Sequence, residues 1–206
     1  MTKTKIAVLI SGGGTNLQAL IDAQNSGIIK SGEIACVISS QPDAYGLTRA
    51  KSAGIPTEVV CKRFLNGSQE LFEKGIIDAL DRYGIELIVL AGFMSILTEN
   101  FTSRYPERII NVHPSLIPSF CGKGFYGLRV HEAALQYGVK VTGATVHFVN
   151  EIPDGGRIIM QKAVAIRNND THETLQKRVM KQAEWKILPL SAEKVSKEIM
   201  DAKGNN

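Results

Sequence analysis

A chain of 206 residues, 44% hydrophobic and 21% charged, can bury one generous core and is short for two. Its net charge of +4 is mild, and the C-terminal lysines 181, 186, 194 and 197 alternate with Glu184, Glu193 and Glu198, which reads as a solvated helix face and excludes nucleic acid as the expected partner. No apolar run approaches the ~18 residues a membrane helix needs, and the charged start lacks a signal-peptide pattern, so no membrane association and a cytoplasmic location are expected.

Residues 5–10 form a short apolar run ended by Ser11-Gly12-Gly13-Gly14, a buried strand entering a tight turn. Leu17, Leu20 and Ile21 then recur at helical spacing, so a helix begins near Thr15. A strand over 34–38 precedes a loop with Pro42 and a helix over about 45–53, stopped by Gly54. Residues 57–61 read as a third strand, Leu71, Ile76, Ile77 and Leu80 mark a helix, and 87–91 read as a fourth strand. A short helix near 95–105 leads into a strand over 108–112; after a long loop over 114–127, Val130, Ala134 and Tyr137 mark another helix. Strands over 141–149 and 157–165 follow, joined by a short turn. Asp170 and Glu173 have the spacing of a capping box, Leu175, Val179, Ile187 and Leu190 line one face of a final helix, and the tail from Lys203 is expected to fray.

This alternation predicts an α/β fold: a single Rossmann-like domain over 1–206, its sheet mostly parallel and twisted with an antiparallel edge at 141–165, and helices on both faces. Ligands of such sheets collect beyond the carboxyl ends of the strands, where 12–16, 92–94, 111–113 and Asp154 would all lie. Cys36, Cys61 and Cys121 are odd in number and lack metal-ligand spacing, so buried or inert thiols and no metal site are expected.

The loop Gly12-Gly13-Gly14-Thr15-Asn16 stands between strand and helix, where glycines admit an anion close to the backbone and the first helical amides point at it. It fails the dinucleotide fingerprint, because Leu17 replaces the third glycine, and it carries no Lys-Ser/Thr pair for a triphosphate. A monophosphate suits it best; the bland alternative is a tight turn. Farther on, Asn111 and His113 alternate onto one side of a strand, and Asp154 sits in Pro153-Asp154-Gly155-Gly156. Alone, that aspartate is an ordinary turn residue. Together, an amide, an imidazole and a carboxylate are the parts needed to move a proton while holding an oxyanion. His147 reads as a supporting or core histidine, and His131 and His172 as solvated.

With Leu90-Ala91-Gly92-Phe93-Met94, the segment 111–118 (Asn-Val-His-Pro-Ser-Leu-Ile-Pro), Val146-His147-Phe148-Val149 and Asp154-Gly155-Gly156, the sequence resembles the glycinamide ribonucleotide formyltransferases of the folate-dependent formyltransferase superfamily. The resemblance runs from residue 5 to about 190 and implies the formyltransferase fold. It also implies formyl transfer from 10-formyltetrahydrofolate to glycinamide ribonucleotide in purine synthesis, with no metal, by a monomer or homodimer. By the same resemblance, Asn111, His113 and Asp154 are catalytic; Gly14, Thr15 and Asn16 hold the phosphate; and Glu184 contacts the sugar. Gln69, Met94, Ser95, Ile96, Leu97, Asn111, Asn150, Glu151, Ile152, Pro153 and Asp154 enclose the folate.

Ser95 and Gln69 stand where relatives commonly carry basic residues, leaving Lys62, Arg63 or Lys123 as substitutes. A carboxylate beside His113 would raise its pKa toward an imidazolium near neutrality. Residues 120–127 form a flap, and Ile117-Pro118 is expected to be cis. A formyl-folate hydrolase and a non-catalytic sugar-phosphate binding protein remain as alternatives.

Overall fold

Near-continuous apolar runs such as 6–10 and 87–90 suit strands buried on both faces, and in the computed structural model, which describes residues 2–204, they form the middle of one sheet. The elements run β1 (Thr4–Ile10), α1 (Thr15–Asn25), β2 (Gly32–Ser39), α2 (Tyr45–Ser52), β3 (Thr57–Val59), α3 (Gln69–Tyr83), β4 (Leu87–Leu90) and α4 (Glu99–Thr102). They continue with β5 (Ile109–His113), α5 (Leu128–Tyr137), β6 (Val141–Phe148), β7 (Ile158–Ala165), α6 (His172–Val179) and α7 (Trp185–Gly204). The seven strands lie in the order β3-β2-β1-β4-β5-β6-β7. β1 to β5 are mutually parallel, and β6 is antiparallel to both β5 and β7, so the expected mostly parallel sheet with an antiparallel edge is present.

Alternation along β1 divides the core. Ile6, Val8 and Ile10 pack with Leu17 and Leu20 of α1 and Leu188 and Val195 of α7, whereas Ala7 and Leu9 face Phe72, Ile76 and Leu80 of α3 and Phe101 of α4. Phe72 and Phe101 are wholly buried, each a burial worth about 1.5–3 kcal/mol.

Several local expectations are corrected. The helix expected near 95–105 is the single turn of α4, and residues 95–98 are not helical. Residues 62–65 make a 3-10 turn that the sequence reading missed. Helix α6 is capped by Thr171, whose hydroxyl and backbone exchange bonds with Thr174; Asp170 instead pairs with Arg178, 2.6 Å from Nη1. A π-helical turn, Met180–Glu184, links α6 to α7, and Pro189 lies within α7. Lys203 and Gly204, expected in a frayed tail, are helical; residues 205 and 206 lie outside the described residues. His131, expected in solvent, is fully buried, and burial drives its pKa down to about 4. Among the described residues no helix is long and apolar enough to cross a membrane.

Candidate active site

The strand β5 sets the first two groups. Ile110 joins the core beneath α1 and α7 while Ile109 joins the core beneath α3, so Asn111 and His113 project on the face of Ile109. Antiparallel pairing places His147 of β6 opposite Asn111 and Thr145 opposite His113. All four side chains therefore share one face.

Asp154 arrives by another route than expected. Because β6 runs against β5, its end at Phe148 lies beside Ile110, away from the carboxyl end of β5. The chain must double back through 149–157 to reach His113. That reversal holds Asp154 at φ +56, a left-handed conformation that aspartate tolerates better than most residues. It also brings Gly156 so close to the preceding strand that a Cβ there would stand 1.8 Å from the Phe148 carbonyl oxygen. Only glycine fits.

The resulting cluster is tight. Asp154 Oδ2 lies 3.5 Å from His113 Nδ1, and Oδ1 lies 3.5 Å from His147 Nε2. Asn111 Nδ2 is 3.2 Å from His147 Nε2, and His147 Nδ1 is 2.8 Å from the Phe148 carbonyl oxygen. The carbonyl fixes the His147 proton on Nδ1, leaving Nε2 to accept from Asn111 and orient its amide. His147 is thus a member of the cluster, which the alternating pattern of β6 could have shown once its register against β5 was known.

The expected flap closes over these groups. His113 Nε2 meets the Phe120 carbonyl oxygen at 2.9 Å, and the Gly122 amide donates to Asp154 Oδ2 at 2.8 Å. The loop leading to the flap contains the expected cis peptide at Ile117-Pro118; the Ile117 amide donates to Thr145 Oγ1 at 3.1 Å, and that hydroxyl donates to the Ser115 carbonyl at 2.7 Å. Burial lowers the His113 pKa below its ordinary 6.5, overcoming the opposing pull of Asp154 and the Phe120 carbonyl. The expected imidazolium near neutrality is therefore corrected: desolvation outweighs the neighbouring carboxylate while the flap is closed. Burial pushes Asp154 up, but the adjacent His147, the hydrogen bond from the Gly122 amide and the nearby His113 hold it below its ordinary value. Burial and Asp154 raise the Cys121 thiol, consistent with an inert cysteine.

At the glycine loop the structure separates packing from access. A Cβ on Gly14 (φ +68) would meet Gly46 Cα of α2 at 2.6 Å, whereas Cβ atoms on Gly12 and Gly13 would meet nothing within 4 Å. Thr15 opens α1, so its amide and those of the next residues face outward from a helix N-terminus. Arg49 Nε donates to the Gly13 carbonyl at 2.9 Å and holds the loop. The side chain of Asn16 is buried and donates to Glu184 Oε2 at 2.8 Å. These two predicted ligands are brought together by that one bond, which leaves the buried Asn16 Oδ1 without a partner among the described residues. Burial raises the Glu184 pKa to about 7 against the opposing bond from Asn16. Glu184 is the last residue of the π turn and is buried there. A cavity of about 670 Å³ lies alongside, lined by Thr15, Ala19, Trp185 and Pro189; none of the three predicted catalytic residues borders it.

The third part of the site is the strap at 94–97, between β4 and α4. Met94 and Ile96 expose 57% and 77% of their surface while Leu97 is buried, so the strap shows apolar side chains to solvent. Its ends are tied by side chains. The Met94 amide donates to Ser11 Oγ at 2.9 Å, and Ser11 Oγ lies 2.7 Å from Ser40 Oγ. Gln69 Nε2 donates to the Ile96 carbonyl at 3.0 Å, and Lys62 Nζ donates to Gln69 Oε1 at 2.9 Å. Ser95 is half-buried; Glu151, Ile152 and Pro153 are exposed on the returning loop, and Asn150 Oδ1 accepts from the Ile152 amide at 3.0 Å. Among the described residues no group of His, Cys, Asp and Glu could hold a metal ion.

Known proteins resemble this chain in sequence and fold. The family described as formyl transferase matches residues 4–191. The phosphoribosylglycinamide formyltransferase of Haemophilus influenzae is 47% identical over 186 residues, covering 90% of this chain and 84% of that protein. The solved glycinamide ribonucleotide transformylase 1 of Symbiobacterium toebii aligns with a TM-score of 0.88 at 40% identity, over 95% of this chain and 89% of that one. The solved phosphoribosylglycinamide formyltransferase of Coxiella burnetii gives 0.86 at 42% identity, over 96% and 89%. With its matched segment running from β1 into α7 and carrying the glycine loop, the strap and the Asn111–His113–Asp154 cluster, the chain belongs to the formyl transferase family.

Proposed function

We propose that this protein transfers the formyl group of 10-formyltetrahydrofolate to the glycyl amine of 5-phosphoribosylglycinamide, releasing the N-formyl nucleotide and tetrahydrofolate in purine biosynthesis. The observation that carries this reading is the convergence of Asn111 and His113 of β5 with Asp154 of the returning loop. The relatives' names and the geometry of the cluster both support this reading.

The nucleotide's phosphate lies against the loop ending at Gly14 and the groups of Thr15 and Asn16 that open α1, with Glu184 beneath its sugar. The folate's flat ring lies between the strap and the loop 150–154, where Met94, Ile96 and Ile152 offer exposed apolar side chains. When the flap releases Nε2 of His113 from the Phe120 carbonyl, that N–H and the second N–H of Asn111 face one acceptor.

The glycyl amine attacks the formyl carbon, a C–N bond forms, and the carbonyl oxygen becomes an oxyanion held by these donors. Ionised Asp154 accepts the proton lost by the amine. The bond from carbon to the folate nitrogen then breaks, and the proton passes to that nitrogen. Nothing is oxidised or reduced.

The test incubates the protein with 10-formyltetrahydrofolate, with and without glycinamide ribonucleotide, and follows folate absorbance. Consumption of the donor only when the nucleotide is present is expected. Equal consumption without it would establish hydrolysis instead, and equal activity on the dephosphorylated riboside would remove the glycine loop from phosphate binding.

A further inference from the structure

We infer that Glu73 is the positioning residue that sets the strap, and through it the affinity for the formyl donor. Glu73 lies on α3, outside every motif singled out in the sequence, and is 7% exposed. Its carboxylate accepts three short bonds from neutral groups: the Thr98 amide at 2.7 Å, the Thr98 hydroxyl at 2.7 Å and Gln69 Nε2 at 2.7 Å.

The bond pattern has a direction. Thr98 is the N-cap of α4, where its hydroxyl would ordinarily accept from the helix; it makes no such cap and donates to Glu73 instead. Gln69, steered by the same carboxylate, donates its other amide proton to the Ile96 carbonyl. One buried side chain thus governs the path of the strap from 96 to 98. The strap needs this, because residues 94–98 belong to no strand or helix that could fix them. Buried Leu97 anchors one side chain, but apolar contact does not orient the carbonyls of 94–96.

The inference rests on the proposed seat of the folate against the strap. What matters is acceptor capacity, since no cation is among the bonding partners. Glutamine can keep all three bonds: its oxygen accepts from the Thr98 amide and Gln69, and its amide donates to a rotated Thr98 hydroxyl. Leucine fills the space and keeps none.

The experiment measures steady-state kinetics in both substrates, together with calorimetric binding of tetrahydrofolate and thermal unfolding, for wild type, Glu73→Leu and Glu73→Gln. Glu73→Leu is expected to raise the donor KM and the tetrahydrofolate Kd about tenfold, as loss of charge-assisted bonds implies, with kcat at saturating donor and the nucleotide KM nearly unchanged. Glu73→Gln is expected to restore most of the donor affinity. Should Glu73→Leu fail to fold, Thr98→Val, which deletes only the hydroxyl, is expected to weaken the donor by about threefold. Unchanged tetrahydrofolate affinity in Glu73→Leu, or a parallel loss in kcat and both KM values with a lowered Tm, would overturn the positioning role. Failure of wild type itself to bind tetrahydrofolate would instead overturn the folate seat.

Discussion

Replacing Asp154 by Asn should abolish turnover while leaving the fold and donor binding nearly intact. Asparagine accepts φ +56 as readily as aspartate, and its carbonyl can still accept from the Gly122 amide that now lies 2.8 Å from Oδ2. What is removed is a unit negative charge 3.5 Å from each of two imidazoles. At an effective dielectric of about 20, such a charge favours a proton on His113 by at most ~5 kcal/mol. Losing positioned acid–base help alone costs about 10²–10⁴ in rate, roughly 3–5 kcal/mol, and the two estimates describe the same residue and do not multiply. Because Asp154 is the main influence holding the His113 pKa up against burial, the substitution should also move that titration to lower pH. Single-turnover formyl transfer, tetrahydrofolate calorimetry and an NMR titration of His113 on the same variant provide the assay. Wild-type turnover, or a His113 titration that moves upward, would refute this account of the cluster.

Two further substitutions test the geometry around it. Glu184, raised from 4.5 to about 7 by burial, holds its proton in the native state where the unfolded chain has lost it, so its contribution to stability falls as pH rises through that interval. Glu184→Gln should therefore raise stability at pH 8 by roughly 3 kcal/mol, with the gain gone near pH 4.5; denaturant melts at both values check it, and an equal gain at both would contradict it. Gly156→Ala would set a Cβ 1.8 Å from the Phe148 carbonyl, so the returning loop must shift and Asp154 with it. A stability loss of about 2–4 kcal/mol with near-complete loss of turnover is expected, read by thermal unfolding and activity.

The sequence by itself determined the α/β alternation, the antiparallel edge and which segments make up the candidate site. Apolar runs, helical periodicity and glycines at strand exits are local signals, and Asn111 with His113 declares a shared face through strand alternation alone. Other facts belong to the tertiary structure. That His147 joins the cluster follows from the register of β6 on β5, which no local pattern encodes. Whether His113 is charged depended on burial against a nearby carboxylate, opposing effects whose balance exists only once the loop 120–127 packs. His131 looked like a surface helix position until the packing of α5 enclosed it. Glu73 lies in an ordinary amphipathic helix pattern, and only the packing of the strap over α3 brings it the amide and hydroxyl of Thr98. Likewise Asn16 and Glu184 stand 168 positions apart in the chain, and their bond required α7 to pack against α1. Local periodicity places a side chain on a face; the long-range pairing of elements decides what that face meets.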